Sequence, residues 1–206
     1  MRRKEHEIAD GAEIENFLVQ SSYGTLAIPG PDYPVVIPLN FVWFENAVYF
    51  HTSKAGEKAE LFKQLPKVTF SVSREFTIVP SIFSDSKLAC PATAFFKSVL
   101  IYGIAVLIED AQAKSDVLAA FMRKLQPEGG YLPFAPDHED YKNKIRTVGI
   151  IRLQPVKISA KFKFGQNLTK ARCDQIRTAL LRRGQAGDPE AVREMEKYSP
   201  FNKKKI

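Results

Sequence analysis

Cysteine is nearly missing from this chain: Cys90 and Cys173 are the two it has in 206 residues. They stand far apart with no paired ligand spacing, which excludes a disulfide framework and a zinc-finger type of site. Histidine is almost as scarce, and the three residues His6, His51 and His138 are scattered, so a protein-bound metal is not expected. No stretch approaches the roughly 18 consecutive apolar residues that a membrane-spanning helix needs. The opening "MRRKEHEIAD" turns charged where a signal peptide would need an apolar run. A cytoplasmic protein with no membrane partner is the expectation. There is no glycine-rich dinucleotide fingerprint after a strand, so any NAD(P)H would bind without a Rossmann fold.

What is present describes a folded domain. Hydrophobic residues make up 45% and aromatics 11%, the latter led by fifteen phenylalanines, which is the composition of a globular chain and not of a disordered one. At this length roughly 70% of the unfolded surface can be buried. The net charge of +7 raises a nucleic-acid partner. The basic residues gather at "MRRK", at "NKKKI" and in "KARCDQIRTALLRR", where they alternate with an apolar face at helical spacing. A solvated helix face with charged termini accounts for them and is the favoured reading over a nucleic-acid surface.

Periodicity predicts a short helix over Ala12 to Gln20, with Ile14, Phe17 and Leu18 on one face. Strands are expected over Tyr23–Ile28 and Val35–Phe44, the latter joined through Glu45-Asn46 to Ala47–Thr52 as a hairpin. A half-buried strand covers Lys67–Ser73, with Val68, Phe70 and Val72 on one side. Glu75 to Pro91 reads as a less regular insertion. "TAFFKSVLIYGIAVLIED" is too β-branched and aromatic for a comfortable helix, and Gly103 in its middle predicts a bulge or sharp bend. "AQAKSDVLAAFMRKL" is a helix, "QPEGGYLPFAPDHED" a loop, and "TVGIIRLQPVKISAKFKF" a strand pair interrupted at Pro155. Two helices follow Thr169, the first ended by Gly184 and the second opened by Asp188 as N-cap with Pro189 at N1. The sum is a mainly β fold of five to seven antiparallel strands with helices in the connections, then a helical tail. The expected division is a domain over residues 1–168 and a C-terminal helical extension over 169–206.

The densest polar chemistry lies in "YFHTSKAGEKAELF". Thr52 or Ser53 can cap a helix running to about Leu65, with Ala55, Ala59, Leu61, Phe62 and Leu65 as its buried stripe. Free N–H groups at such a start favour an anion, and Lys54 and Lys58 fall on a common side one turn apart. Gly56 would let a ligand approach the backbone. A phosphate fits here; an ordinary capped helix with two solvated lysines is the other reading, and local chemistry leaves both open.

The stretch "VVIPLNFVWFENAVYFHTSKAGEKAELFKQLPKVTFSV" resembles the flavin-binding core of the pyridoxamine 5′-phosphate oxidase-like split-barrel proteins. It is most similar to their nitroimidazole-resistance branch, in which "VPLNF", a hairpin, "YFHS", a Gly-Lys helix start and a strand after "NP" recur in this order. The counterparts are Ile37–Phe41, Tyr49–Ser53, Gly56–Lys58 and Leu65-Pro66 leading into Val68. "FFKSVLIYGIAVLIED" is similar to that branch's "YRSVIGFGRA" strand, with Lys97 where arginine is more usual. The resemblance also reaches "MRRKEHEI" and "KFKFGQN" and covers most of the first 168 residues.

The resemblance implies an antiparallel Greek-key split β-barrel that pairs with a second copy and holds FMN in a groove at the interface. Thr52, Ser53 and Lys58 would hold the phosphate, with Lys54 as an electrostatic aid. Pro38, Leu39 and Asn40 would line the isoalloxazine edge, and Lys97 and Ser98 would reach the phosphate or ribityl chain. Lysine at position 97 lacks the bidentate fork of arginine. His51 would lie beside the flavin, donating to it or to a bound substrate anion, or passing a proton; the competing reading is a strand histidine hydrogen-bonded in the core. The implied function is an FMN-dependent oxidoreductase acting on a small electron-poor substrate of the nitroaromatic, 5-nitroimidazole type. Two alternatives remain: an FMN-binding transcriptional regulator whose basic tail helices touch DNA, and a flavin carrier without turnover.

Overall fold

Five α-helices and eight strands are described in a computed structural model that covers residues 3–53, 62, 66–85 and 87–202, residue 53 by its backbone alone. The helices are α1 (Gly11–Gln20), α2 (Ala111–Leu125), α3 (Glu139–Thr147), α4 (Lys170–Arg183) and α5 (Asp188–Tyr198). The strands are β1 (Glu7–Ile8), β2 (Tyr23–Ile28), β3 (Val35–Asn40), β4 (Val42–Phe44), β5 (Ala47–Ser53), β6 (Lys67–Val79), β7 (Thr93–Ile108) and β8 (Val148–Lys163). They form one antiparallel sheet in the order β3-β2-β6-β7-β8-β5-β4, with β1 paired to β8. The chain divides into two compact units: Asp10–Val72 with Leu100–Ile158, and Met1–Ala9 with Ser73–Val99 and Ser159–Ile206.

In the first unit, Asp10 starts α1 by accepting from the N–H groups of Ala12 and Glu13, which satisfies donors that a helix start leaves free. Phe17 and Leu18 then turn inward. Glu45 and Asn46 carry positive φ of 47° and 58°, the two-residue turn whose twist matches the flanking strands β4 and β5. Asp110 caps α2, and Val117, Ala120 and Phe121 of that helix pack on Val42, Ala47, Tyr49 and Ile150. A second packing centre sets the Phe41 ring edge-on to Phe70 at 5.0 Å.

The strand expected over Val35–Phe44 is two strands, parted at Phe41. The chain after the loop forms α3, which a reading of loop into strand missed: the segment is polar apart from Tyr141 and Ile145, and Ile145 is its one buried residue. Pro155 does not interrupt β8, which runs unbroken through it. Pairing with β5 ends at Leu153 and pairing with β1 begins at Ala160, so Pro155 falls in the stretch of β8 that neither β5 nor β1 pairs.

Gly103 marks no bulge, since buried and outward positions alternate without a slip along β7. A side chain there would meet the carbonyl of Gln154 and lie 2.8 Å from Leu153 Cδ1, so the glycine serves a close approach of two backbones. Gly103→Ala is expected to cost about 1–3 kcal/mol, the range for overpacking, measured by chemical denaturation; an unchanged midpoint would show that β8 yields freely.

In the second unit, α4 ends at Gly184, whose φ of 66° provides the left-handed C-cap. Asp188 is not the N-cap of α5. Gly187 takes that place, and the Asp188 carboxylate, fully buried, turns instead to Arg183 and Thr77. β6 extends to Val79, through the start of what reads as an insertion. Its alternation lapses at Ser73–Glu75, where three successive residues are exposed, and Arg74 there pairs with Glu190 of α5.

Candidate functional site

The β4–β5 ladder pairs Phe44 with Ala47, Trp43 with Val48 and Val42 with Tyr49, and stops there. Continued by two steps, its register would set Asn40 against His51. Instead β3 pairs with β2, placing Pro38 opposite Thr25 and Asn40 opposite Tyr23. β5 meanwhile runs on along β8, with His51 opposite Ile150 and Ser53 opposite Val148. One residue, Phe41, therefore joins a strand at one end of the sheet order to a strand at the other. Consecutive Cα atoms are about 3.8 Å apart, so the sheet of this unit must curl there, and the two strands split from a common origin.

Pro38, Leu39 and Asn40 lie on one lip of the split, and His51, Thr52 and Ser53 on the other. Among the described residues, each lip is paired on one side only, which leaves main-chain donors and acceptors free for a ligand. Pro38, Asn40 and His51 are exposed, and Leu39 and Thr52 are half-buried. Asn40 Nδ2 donates to the Ser22 carbonyl at 3.1 Å, which fixes the amide at the root of the opening. The His51 ring meets Phe121 of α2 edge-on at 5.8 Å; an exposed ring at the end of a strand is not the core histidine of the competing reading.

Sequence reasoning missed Lys124. Its ammonium, on the last turn of α2, donates to the carbonyls of Ser21 and Phe41 and lies 4.5 Å from the Phe41 ring centroid. Burial pushes its pKa down to about 8. The lysine thus fastens the chain at the residue from which the lips diverge. A cation in the last helical turn is unremarkable in a sequence, so no local signal marks it.

Lys97 and Ser98 belong to the other unit. Lys97 is 8% exposed and its ammonium is engaged by Glu194 of α5 at 2.7 Å. The rings of Phe162, Phe76 and Tyr198 lie 5.1, 5.4 and 5.7 Å from the same nitrogen. The structure gives it a partner other than a phosphate. Ser98 is half-buried on the opposite face of β7. Lys54, Lys58, the Ser53 side chain and most of the helix expected to follow lie outside the described residues; Phe62 of that stretch is buried against Phe50 at 5.8 Å between centroids. Among the described residues, no group of three or more His, Cys, Asp or Glu side chains could hold a metal ion, and no helix is long and apolar enough to cross a membrane.

Solved structures share this architecture. The flavocytochrome Anf3 from Azotobacter vinelandii is 23% identical, with a TM-score of 0.64 over 76% of this chain and 69% of that one. An FAD and haem binding protein from Mycobacterium smegmatis is 14% identical, with a TM-score of 0.63 over 77% and 73%. A protein from Bacteroides thetaiotaomicron named for 5-nitroimidazole antibiotic resistance is 22% identical, with a TM-score of 0.58 over 75% and 85%. At these identities the likeness is one of fold, an antiparallel sheet consistent with a split barrel. No curated protein matches the sequence. The family model described as pyridoxamine 5′-phosphate oxidase matches residues 10–162, a span that takes in every strand of the split, and the chain belongs to that family.

Proposed function

We infer that this protein binds FMN in the split between β3 and β5 and uses it to reduce small, electron-poor molecules of the nitroaromatic, 5-nitroimidazole type. The divergence of the two strands beyond Val42 and Tyr49 carries the reading. It aims two half-paired main-chain edges, with Asn40 and Thr52 among them, at one opening, and the donors and acceptors on the edge of an isoalloxazine suit such lips. Ser53, Lys54 and Lys58 follow in sequence and would supply hydroxyl and cationic partners for the phosphate. Support also comes from relatives of the same fold, one named a flavocytochrome, one for FAD and haem, and one for 5-nitroimidazole resistance.

Bound flavin would supply the electron transfer. His51 on its lip would donate a hydrogen bond, or pass a proton, to the group held in the split. Lys124 would hold the root of the opening in place through Phe41. The groove is completed by a second copy of the chain in the cytoplasm: the outward residues of β7 in this unit are Leu100, Tyr102, Ile104 and Val106, and Tyr102 and Val106 are exposed. An apolar strand face open to water fits burial against a partner.

His51→Ala is expected to keep FMN and to slow reoxidation of the reduced protein by a 5-nitroimidazole about 100-fold, measured in anaerobic single-turnover mixing. An unchanged rate would leave His51 with no role beyond its contact with Phe121.

A further inference from the structure

Two segments that the family resemblance reaches supply no residue to the flavin site: "RKEHE" near the start and "KFKFGQN" at the end of the last strand. The fold brings them together. β1 lies along β8 with Glu7 opposite Lys161, and His6, 1% exposed, donates from Nδ1 to Gln166 Oε1 at 3.0 Å. Gln166 is itself held by the Phe164 N–H and the Phe162 carbonyl. Beside this junction, inside the second unit, opens a cavity of about 580 Å³, ample for a small organic ligand.

Its wall is cationic. Arg3, Lys161, Lys163 and Arg172 all line it, and among the described residues no carboxylate does. Lys161 and Lys163 have no carboxylate partner within 4 Å among the described residues; Arg3 and Arg172 have loose ones, Glu5 at 3.6 Å and Asp85 at 3.9 Å. Lys163 donates to the Thr93 hydroxyl, and burial, then Lys161 and Arg3, push its pKa down. Holding these charges together costs free energy that a bound anion would offset. The floor is apolar, formed by Phe95, Leu168 and Ile176.

We propose that this cavity is a binding site for a small phosphorylated metabolite with an apolar or aromatic body, its phosphate against Lys161, Lys163, Arg3 and Arg172 and its body on Phe95, Leu168 and Ile176. Among the described residues the site shares no lining residue with the split, so it stands or falls separately from the flavin reading.

The test is calorimetric titration of the purified full-length protein, with and without added FMN, using AMP and inorganic phosphate as probes. AMP should bind more tightly than phosphate, both more weakly as salt rises. Lys163→Met and Arg172→Ala should each weaken AMP about ten-fold. Arg172 has a side chain 45% exposed, so its loss leaves the fold intact, and FMN affinity should be unaffected in that variant. Failure of both probes to bind overturns the proposal, as does AMP affinity unchanged in both variants. Equal affinity for phosphate and AMP removes the apolar body from it. Competition between FMN and AMP would make the two sites one, and binding of a DNA oligomer without binding of AMP would make the wall a nucleic-acid surface; either result overturns it.

Discussion

Asp188→Ala is expected to lower stability by about 3–5 kcal/mol, seen as a fall of about 10 °C in the thermal midpoint. The carboxylate is fully buried and receives Arg183 in a two-pronged pair, Nε to Oδ2 at 2.9 Å and Nη2 to Oδ1 at 2.6 Å. The Thr77 hydroxyl adds a third bond at 2.7 Å and the Gln185 N–H a fourth at 2.9 Å. Truncation leaves a largely buried guanidinium without its counter-charge, and that loss outweighs the pair's own worth. The Arg183 bond, against the opposing effect of burial and helped by Thr77 and Gln185, depresses the Asp188 pKa from 3.8 to about 2. A carboxylate with a depressed folded pKa contributes stability that is whole above the unfolded value and fades as pH falls through the folded one. The contribution should hold down to about pH 4 and disappear toward about pH 2. Denaturant midpoints across that range, wild type against Asp188→Ala, measure it; parallel curves would show that the pair titrates with no energetic effect.

Glu194→Leu alone is expected to destabilise by about 3 kcal/mol or more, and Lys97→Met with Glu194→Leu by far less. The single change strands the Lys97 ammonium, 8% exposed, among Phe76, Phe162 and Tyr198. Those rings attract a cation but do not replace a carboxylate at 2.7 Å. The double change gives the same space to two apolar side chains. Glu194 Oε2 has no hydrogen-bond partner among the described residues, so the pair is incompletely satisfied and its replacement is tolerable. Equal losses from the single and double variants would contradict the assignment of Lys97 to this unit's packing, and would leave open the phosphate contact that the family resemblance implied.

The parts of the fold that local rules govern were legible. Tyr23–Ile28 and Ala111–Leu125 have the bounds that alternation and helical spacing give them, and the Glu45-Asn46 turn has the positive φ its hairpin requires. The misses come from distant partners. β6 runs on through Arg74 and Glu75 while an acidic residue of α5 answers Arg74; nothing near position 74 announces it. Asp188 and Pro189 look like a cap and N1, but Arg183 and Thr77 offer the carboxylate stronger partners. At the site, the phrases around Asn40 and His51 were legible through their resemblance to a family, and the reason they meet was not. That reason is the switch of strand partners at Phe41, which only the pairing of the whole sheet exposes. Lys124 and its two carbonyls belong to the same class, since Ser21 lies 103 positions away in the chain.

The claim that FMN occupies the split between β3 and β5 is tested most directly by the visible spectrum of the purified protein and its titration with FMN, wild type beside Lys58→Glu. FMN has about thirty non-hydrogen atoms, and at roughly 0.3 kcal/mol per atom its binding free energy is about −9 kcal/mol, a sub-micromolar dissociation constant. The account predicts a yellow protein that takes up FMN to saturation in that range, and a Lys58→Glu variant that loses it. A colourless wild-type protein whose spectrum is simply that of free FMN at every point of the titration would contradict it.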